Sequence, residues 1–237
     1  MAVTFFVLAL GPFVGSFVGV LVDRLPLGRD VVFAPAACAA CGTRRGWRDL
    51  MPVLSFARMR GRCRHCGAGI APHLLYLELT AAGFGLLAVL AGGAPGHVLL
   101  TAVMLWLLLA LAACDLSMFR LPDPLNTALL AVVLLRAPDP VAALWGGAAG
   151  VAAFALLRIG CARLRRREGL GLGDVKLMAG LGALSGVALL PHLVLGGALL
   201  ALAGALLSGR GLRARTPLPF GTALCASAFG LWLWGVV

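Results

Sequence analysis

Nine acidic side chains are all that this chain of 237 residues carries, and three of them stand where a charge is costly. Glu78 falls inside the apolar run Leu74–Ala91. Asp115 closes the run Val98–Cys114, and Asp174 opens the run Val175–Leu190. Ionisable residues in such runs face a bundle interior or a watery cavity and are by default functional candidates. Two aspartates at one depth can share a proton, because like charges in contact do not both ionise. One then takes a proton from water as a base while the other donates a hydrogen bond or a proton. The plainer role for each is a helix cap. Asp174, ahead of its run, fits that role. Asp115, behind its run, opposes the helix dipole, which favours a paired site. Around Asp174 the sequence is "GLGDVKLMAGLG", where Gly171 and Gly173 leave room for a substrate backbone. Lys176 pairs either with a carboxylate or with lipid headgroups, as lysines near helix ends do.

The other carboxylates have simpler roles. Asp23 is expected to pair with its neighbour Arg24, and Asp30 and Asp49 to be solvated. Asp123, before Pro124, has the signature of an N-cap. Asp139 lies in the Pro138–Pro140 turn, and Glu168 in a basic stretch. Glu78 needs an internal partner and is a candidate buried polar residue related to a second activity discussed below.

A second constellation is built of thiols. Cys38 and Cys41 form one C-x-x-C, Cys63 and Cys66 another, with 21 residues between the pairs. Each such turn puts two thiolates on one side of a metal, and two turns complete the tetrahedron of a structural zinc site. Gly42 and Gly67 follow the pairs and suit tight turns. Structural zinc is therefore the expected cofactor, ahead of redox-active or unliganded thiols. Two structural disulfides do not fit a reducing compartment. His65, between two ligands, is expected on the surface. Cys114, Cys161 and Cys225 are single and serve as small apolar packing residues.

The elements that must position these groups are membrane helices. The chain is 61% hydrophobic and 12% charged, with a mean hydropathy of +1.01, against about 45–50% and roughly 25% in soluble domains. Runs long enough to span, or nearly so, are Ala2–Val22, Leu74–Ala91, Val98–Cys114, Leu125–Leu135, Val141–Ile159, Val175–Leu190, Leu193–Ser208 and Leu218–Val237. The first is expected to be retained rather than cleaved as a signal. The sixth and seventh are expected to meet in a tight turn at Pro191–His192. The segment Asp23–His73 carries nine arginines. Arg120, the group Arg163, Arg165, Arg166 and Arg167, and the group Arg210, Arg213 and Arg215 follow in alternate connections. With eight spans all of these lie on one side, which the positive-inside rule makes cytoplasmic, with Arg136 the exception. The net charge of +11 is thus a topology signal toward a lipid bilayer, and no nucleic-acid partner is expected. The fold class is all-α: a polytopic bundle of about eight spans, with a first helix over 1–23, a four-cysteine insertion over 24–73 and a bundle over 74–237. Asp115 and Asp174, 59 positions apart, then share the cytoplasmic boundary.

"GLGDVKLMAGLG" resembles the G-x-G-D motif of the bacterial type IV prepilin peptidases, a family of membrane aspartyl proteases. "GSFVGVLVDRLP" (Gly15–Pro26) resembles their first helix. The twin C-x-x-C insertion and "ARMRGRCRHCGAGIAPHLLYLELTAA" (Ala57–Ala82) follow in order, and "DLSMFRLPD" (Asp115–Asp123) resembles the segment of the first catalytic aspartate. "PLPFG" (Pro217–Gly221) resembles the opening of the last helix. The chain departs from the pattern at Gly19, Ala39 and Leu121, where Asn, Pro and Ile are usual. The resemblance implies a bifunctional enzyme of the bacterial inner membrane. Asp115 and Asp174 would cleave the basic leader of prepilins or pseudopilins at the cytoplasmic face. The new N-terminus would then be methylated with S-adenosylmethionine, an activity associated with the insertion and its neighbourhood. A peptidase without the methyltransferase, a proton-coupled transporter and a zinc-bearing assembly scaffold are the alternatives.

Overall fold

The computed structural model describes residues 1–28, 30–31, 37–38, 40–44, 46, 51–165, 170–207 and 218–235. Among these, regular structure is helical apart from two isolated β-bridges. In lipid every backbone polar group must be satisfied within the protein, and a helix does this within one segment. The helices are α1 (Ala2–Arg24), α2 (Leu54–Arg58), α3 (Pro72–Ala91), α4 (Pro95–Met118), α5 (Asp123–Arg136), α6 (Pro140–Arg165), α7 (Leu172–Leu207) and α8 (Phe220–Leu233). Proline opens α3, α4 and α6, a position where its missing N–H has no helical partner to lose.

Six of the apolar runs each coincide with one helix, α1, α3, α4, α5, α6 and α8, and the other two share α7, whose break lies inside the sixth run; α2 is an additional short helix in the insertion. By length and composition, α1, α3, α4, α6 and α7 are able to cross a membrane, while α5 and α8 have 14 residues each. The expected turn at Pro191–His192 is not there. α7 breaks at Gly186 (φ 65°, ψ 173°), and Pro191 lies inside the helix that follows. Glycine alone takes a positive φ without strain, so the chain bends at Gly186. Pro191 comes five residues later and is accommodated near the free end of the next helical segment.

The chain divides into two compact units, Met1–Ala102 and Val103–Val237. In the first, α1 lies along α3 through Gly11, Gly15 and Gly19, spaced four apart. A Cβ at Gly15 would stand 2.5 Å from Glu78 Cα and Leu77 O. Such small-residue stripes let membrane helices approach backbone to backbone. Where α1 ends, Asp23 pairs with His73 at 3.0 Å rather than with Arg24. The guanidinium of Arg24 instead donates to the Asp30 carbonyl at 3.1 Å.

In the second unit α7 packs against α5, α6 and α8. Gly182 of α7 sits on Gly146 of α6, where a Cβ would come 2.5 Å from the Gly146 carbonyl, and a Cβ at Gly150 would come 2.7 Å from that of Met178. Asp139, expected only to lie in its turn, accepts the N–H groups of Val141 and Ala142 at 2.9 and 3.1 Å and so starts α6. Asp49, Glu168 and the basic stretch Gly209–Pro217 lie outside the described residues.

Because backbone atoms face Gly15 and Gly182, alanine there overpacks the contact. Gly15→Ala and Gly182→Ala should each destabilise the detergent-solubilised protein by about 1–3 kcal/mol, seen as a lower thermal midpoint. Gly83→Ala, with open space around its α3 position, should keep or raise the midpoint, since alanine favours the helix more than glycine does.

Candidate active site

α4 carries Asp115 to within a turn of its end at Met118. The next residue, Phe119, takes φ 51° and donates its N–H to the Asp115 carbonyl at 3.0 Å. A left-handed residue closes a helix end in this way, although a bulky side chain rarely adopts it. The turn that follows returns Leu121 to the unit's interior.

The Asp115 side chain is 5% exposed. It does not face its own helix end but the start of α8, which begins at Phe220 after Pro219. The N–H of Thr222, third residue of α8, donates to Asp115 Oδ2 at 2.7 Å. The Thr222 hydroxyl lies 3.1 Å from the same oxygen and 3.0 Å from the Ala112 carbonyl, and the N–H of Gly221 also faces the carboxylate. A Cβ at Gly221 would stand 3.1 Å from both Cγ and Oδ2 of Asp115, so glycine lets the helix start come this close.

Asp174 is the third residue of α7. The N–H of Gly171 turns back to its carboxylate, as an acid in the first turn does in a capping box. Asp115 lies near enough to act on the Asp174 carboxylate. The structure thus brings together the two aspartates that the sequence singles out. Leu121 fills the space between the glycines beside them, 3.2 Å from a Cβ built at Gly173 and 3.1 Å from one at Gly221.

Lys176, left between two partners by the sequence, donates to both carboxylate oxygens of Asp123 at 2.7 Å. This corrects Asp123 as an N-cap. The cap position is Pro122, and no side chain caps this helix. Asp123 is the first helical residue, and its carboxylate is taken up by the lysine. Thr222 is the site residue that sequence reasoning misses. Pro219 ahead of an apolar run marks a helix start, and helix starts attract anions. Nothing local says that the anion is Asp115.

The four cysteines also converge. In each C-x-x-C the first residue's carbonyl accepts the N–H of the following glycine, Gly42 to Cys38 and Gly67 to Cys63, both at 2.9 Å. Gly42 (φ 68°) and Gly67 (φ 71°) are left-handed, as expected. The bridges Ala37–Arg44 and Arg62–Gly69 close the two turns. All four Sγ atoms lie within 4.8 Å of one another, and Cys38 Sγ to Cys66 Sγ is 3.8 Å. A tetrahedron with metal–sulfur bonds of about 2.3 Å has edges of about 3.8 Å, so the donor set fits zinc. Backbone N–H groups of Cys41 and Ala40 hold the Cys38 thiol below its usual range. Those of Cys66 and His65 act likewise on Cys63, and the hydroxyl and N–H of Thr43 on Cys41. For Cys66 the Ala68 N–H pulls down, but Cys41 and the other thiols push it up to about 11. That crowding is what a dication relieves.

Glu78, 8% exposed on α3, accepts the Val53 N–H at 2.7 Å. The partner it needs is the backbone of the insertion, at a valine strained into φ 60°.

The family described as Bacterial Peptidase A24 N-terminal domain matches residues 9–91, and the Type IV leader peptidase family matches 102–206. The first range contains the four cysteines and Glu78, the second both aspartates. The chain is 33% identical to a prepilin leader peptidase/N-methyltransferase of Burkholderia pseudomallei (strain K96243), over 97% of this chain and 85% of that protein. It is 35% identical to one of Dickeya chrysanthemi, over 95% and 91%. It is 38% identical to one of Klebsiella pneumoniae, over 76% and 84%. No solved structure matches.

Both partners of the Lys176–Asp123 pair are at least half exposed, so screening by water limits its worth. Lys176→Met should change the unfolding free energy by less than about 1 kcal/mol, measured by denaturation in detergent.

Proposed function

The chain belongs to the type IV leader peptidase family, and on that premise we propose that it cleaves the basic leader of prepilins or pseudopilins and methylates the new N-terminus. The observation that carries the peptidase reading is the Asp115–Asp174 pair, two carboxylates from different helices close enough to repel. A proton-coupled transporter is not favoured, since the relatives named above are prepilin leader peptidase/N-methyltransferases and a transporter's carboxylates would lie along a path near the midplane.

In this reading the hydrophobic segment of the prepilin docks laterally against the bundle while its basic leader stays in the cytoplasm. The arginine-rich connections support that orientation in the bacterial inner membrane. The scissile carbonyl lies between the aspartates. One takes a proton from water, and the resulting hydroxide adds to the carbonyl carbon. The other gives its proton to the carbonyl oxygen. When the tetrahedral intermediate collapses, the first aspartate's proton goes to the leaving amine and the second recovers its own. Gly173, expected to leave room for the peptide backbone, instead makes room for Leu121, and Gly171 lies against the Asp174 carboxylate; Lys176 holds the turn after Asp115 to α7 through Asp123.

Residues 24–73 are a zinc-binding insertion in this proposal, with Cys38, Cys41, Cys63 and Cys66 as ligands. Zinc supplies folding energy there rather than chemistry. Methylation needs a methyl donor, S-adenosylmethionine. Glu78 joins the insertion to α3 at Val53 and supports the methylation half by holding that segment in place.

Asp115→Asn and Asp174→Asn should each abolish leader cleavage of a prepilin in detergent while the protein remains in the membrane. Cleavage by either variant removes that residue from the pair. The same assay with S-adenosylmethionine should transfer a methyl group to the product. Metal analysis should find about one zinc per chain and its loss in Cys63→Ser; protein purified without zinc overturns the four-cysteine site.

A further inference from the structure

The reading above leaves the two aspartates interchangeable, but their surroundings differ. Asp115 receives the N–H and the hydroxyl of Thr222 on a single oxygen, both from the first turn of α8, at 2.7 and 3.1 Å. Asp174 lies against Gly171 at the start of its own helix and has no such pair of donors among the described residues. Donors to a carboxylate favour its charged form, and of two carboxylates in contact only one keeps the charge. With two donors from Thr222 on one oxygen, that is Asp115. We propose that Thr222 is a positioning residue for the reaction: it fixes Asp115 Oδ2, leaves the other oxygen to the water, and so makes Asp115 the partner that takes the proton.

The hydroxyl has one proton and two acceptors in reach, Asp115 Oδ2 at 3.1 Å and the Ala112 carbonyl at 3.0 Å. While Asp115 is charged the proton points at Oδ2. Once Asp115 holds the proton of water on its other oxygen, the hydroxyl is free to turn to Ala112 while the Thr222 N–H stays on Oδ2. One side chain thereby serves both protonation states without moving a heavy atom. Gly221 is part of the device, since a Cβ there would press on the Asp115 carboxylate at 3.1 Å. Thr222 lies beyond residues 102–206, the range that the family match covers, and its place comes from the geometry alone.

This inference rests on the aspartate pair being catalytic, so the two must be tested side by side on the full chain in detergent, with a prepilin as substrate. Thr222→Val keeps the shape and the backbone N–H but removes the hydroxyl. Measured well below the thermal midpoint, its kcat should fall about 10- to 100-fold, the worth of a hydrogen bond to a charged group, with KM unchanged; the midpoint falls too, because a buried carboxylate loses a donor. Thr222→Ser should recover most of the rate. A wild-type kcat in Thr222→Val overturns the proposal, and so does Thr222→Ser no faster than Thr222→Val. A loss in Thr222→Val seen only in KM or in the thermal midpoint also overturns it, since that is packing. With Asp115→Asn and Asp174→Asn both silent, such a result removes Thr222 and leaves the pair standing. Cleavage surviving in either Asn variant removes the pair, and the role of Thr222 with it.

Discussion

The carboxylate of Asp115, buried among apolar helices, is the constraint to which the second unit answers. A charge taken out of water costs several kcal/mol unless donors replace its hydration. In a membrane bundle most backbone donors are already used within helices, and the unused ones are the first N–H groups of each helix. Those N–H groups have a need of their own, since in lipid nothing else satisfies them. The contact between Asp115 and the first turn of α8 meets both needs at once. Asp174 is held by the same logic at the start of α7. The two aspartates come together because two helix starts do, at the end of a third helix whose own dipole would repel a carboxylate.

Helix starts can converge only if the helices carrying them approach closely, and here glycine sets the distances. Gly221 brings α8 to Asp115, while Gly173 and Gly221 make the slot that Leu121 fills. Gly146, Gly150 and Gly182 hold α6 on α7. Without a hydrophobic force between helices in lipid, association relies on packing contact and on polar groups that find partners. The small residues therefore contribute to the chemistry indirectly, through the separation of backbones. The break at Gly186 belongs to the same set, because it ends the first half of α7 where α6 crosses it.

Much of this was legible in the sequence. The apolar runs located the helices, the C-x-x-C spacing located the cysteine cluster, and the awkward placement of Asp115 pointed to a partner. What the sequence hid were the partners themselves. Asp115 and Thr222 are 107 positions apart, Lys176 and Asp123 are 53 apart, and Asp23 and His73 are 50 apart. Local pattern offered nearer candidates in each case: a cap for Asp123, Arg24 for Asp23. Both lost to long-range pairs, because a helix start already supplied with proline needs no acidic cap and adjacent side chains on a helix do not face each other. The bend of α7 was misplaced for a different reason. Proline signals a break from sequence alone, whereas glycine signals one only when the backbone takes a conformation that other residues avoid.

The insertion meets its stability problem by other means. Its two cysteine turns are closed by single bridges and a few backbone hydrogen bonds, far less than a core of apolar side chains provides. Each turn alone is too small to fold, and the thiols it presents repel one another as they ionise. A dication among four sulfurs would turn that repulsion into the force that joins the turns. The Glu78–Val53 hydrogen bond then ties the segment ahead of the second turn to α3, against the glycine stripe of α1. A buried carboxylate again receives a backbone N–H, but here the donor comes from a strained loop rather than a helix start. Polar groups are thus distributed in the first unit by the rule that governs the second: a carboxyl group is kept in the apolar interior where it fastens a second piece of backbone to the helix that carries it.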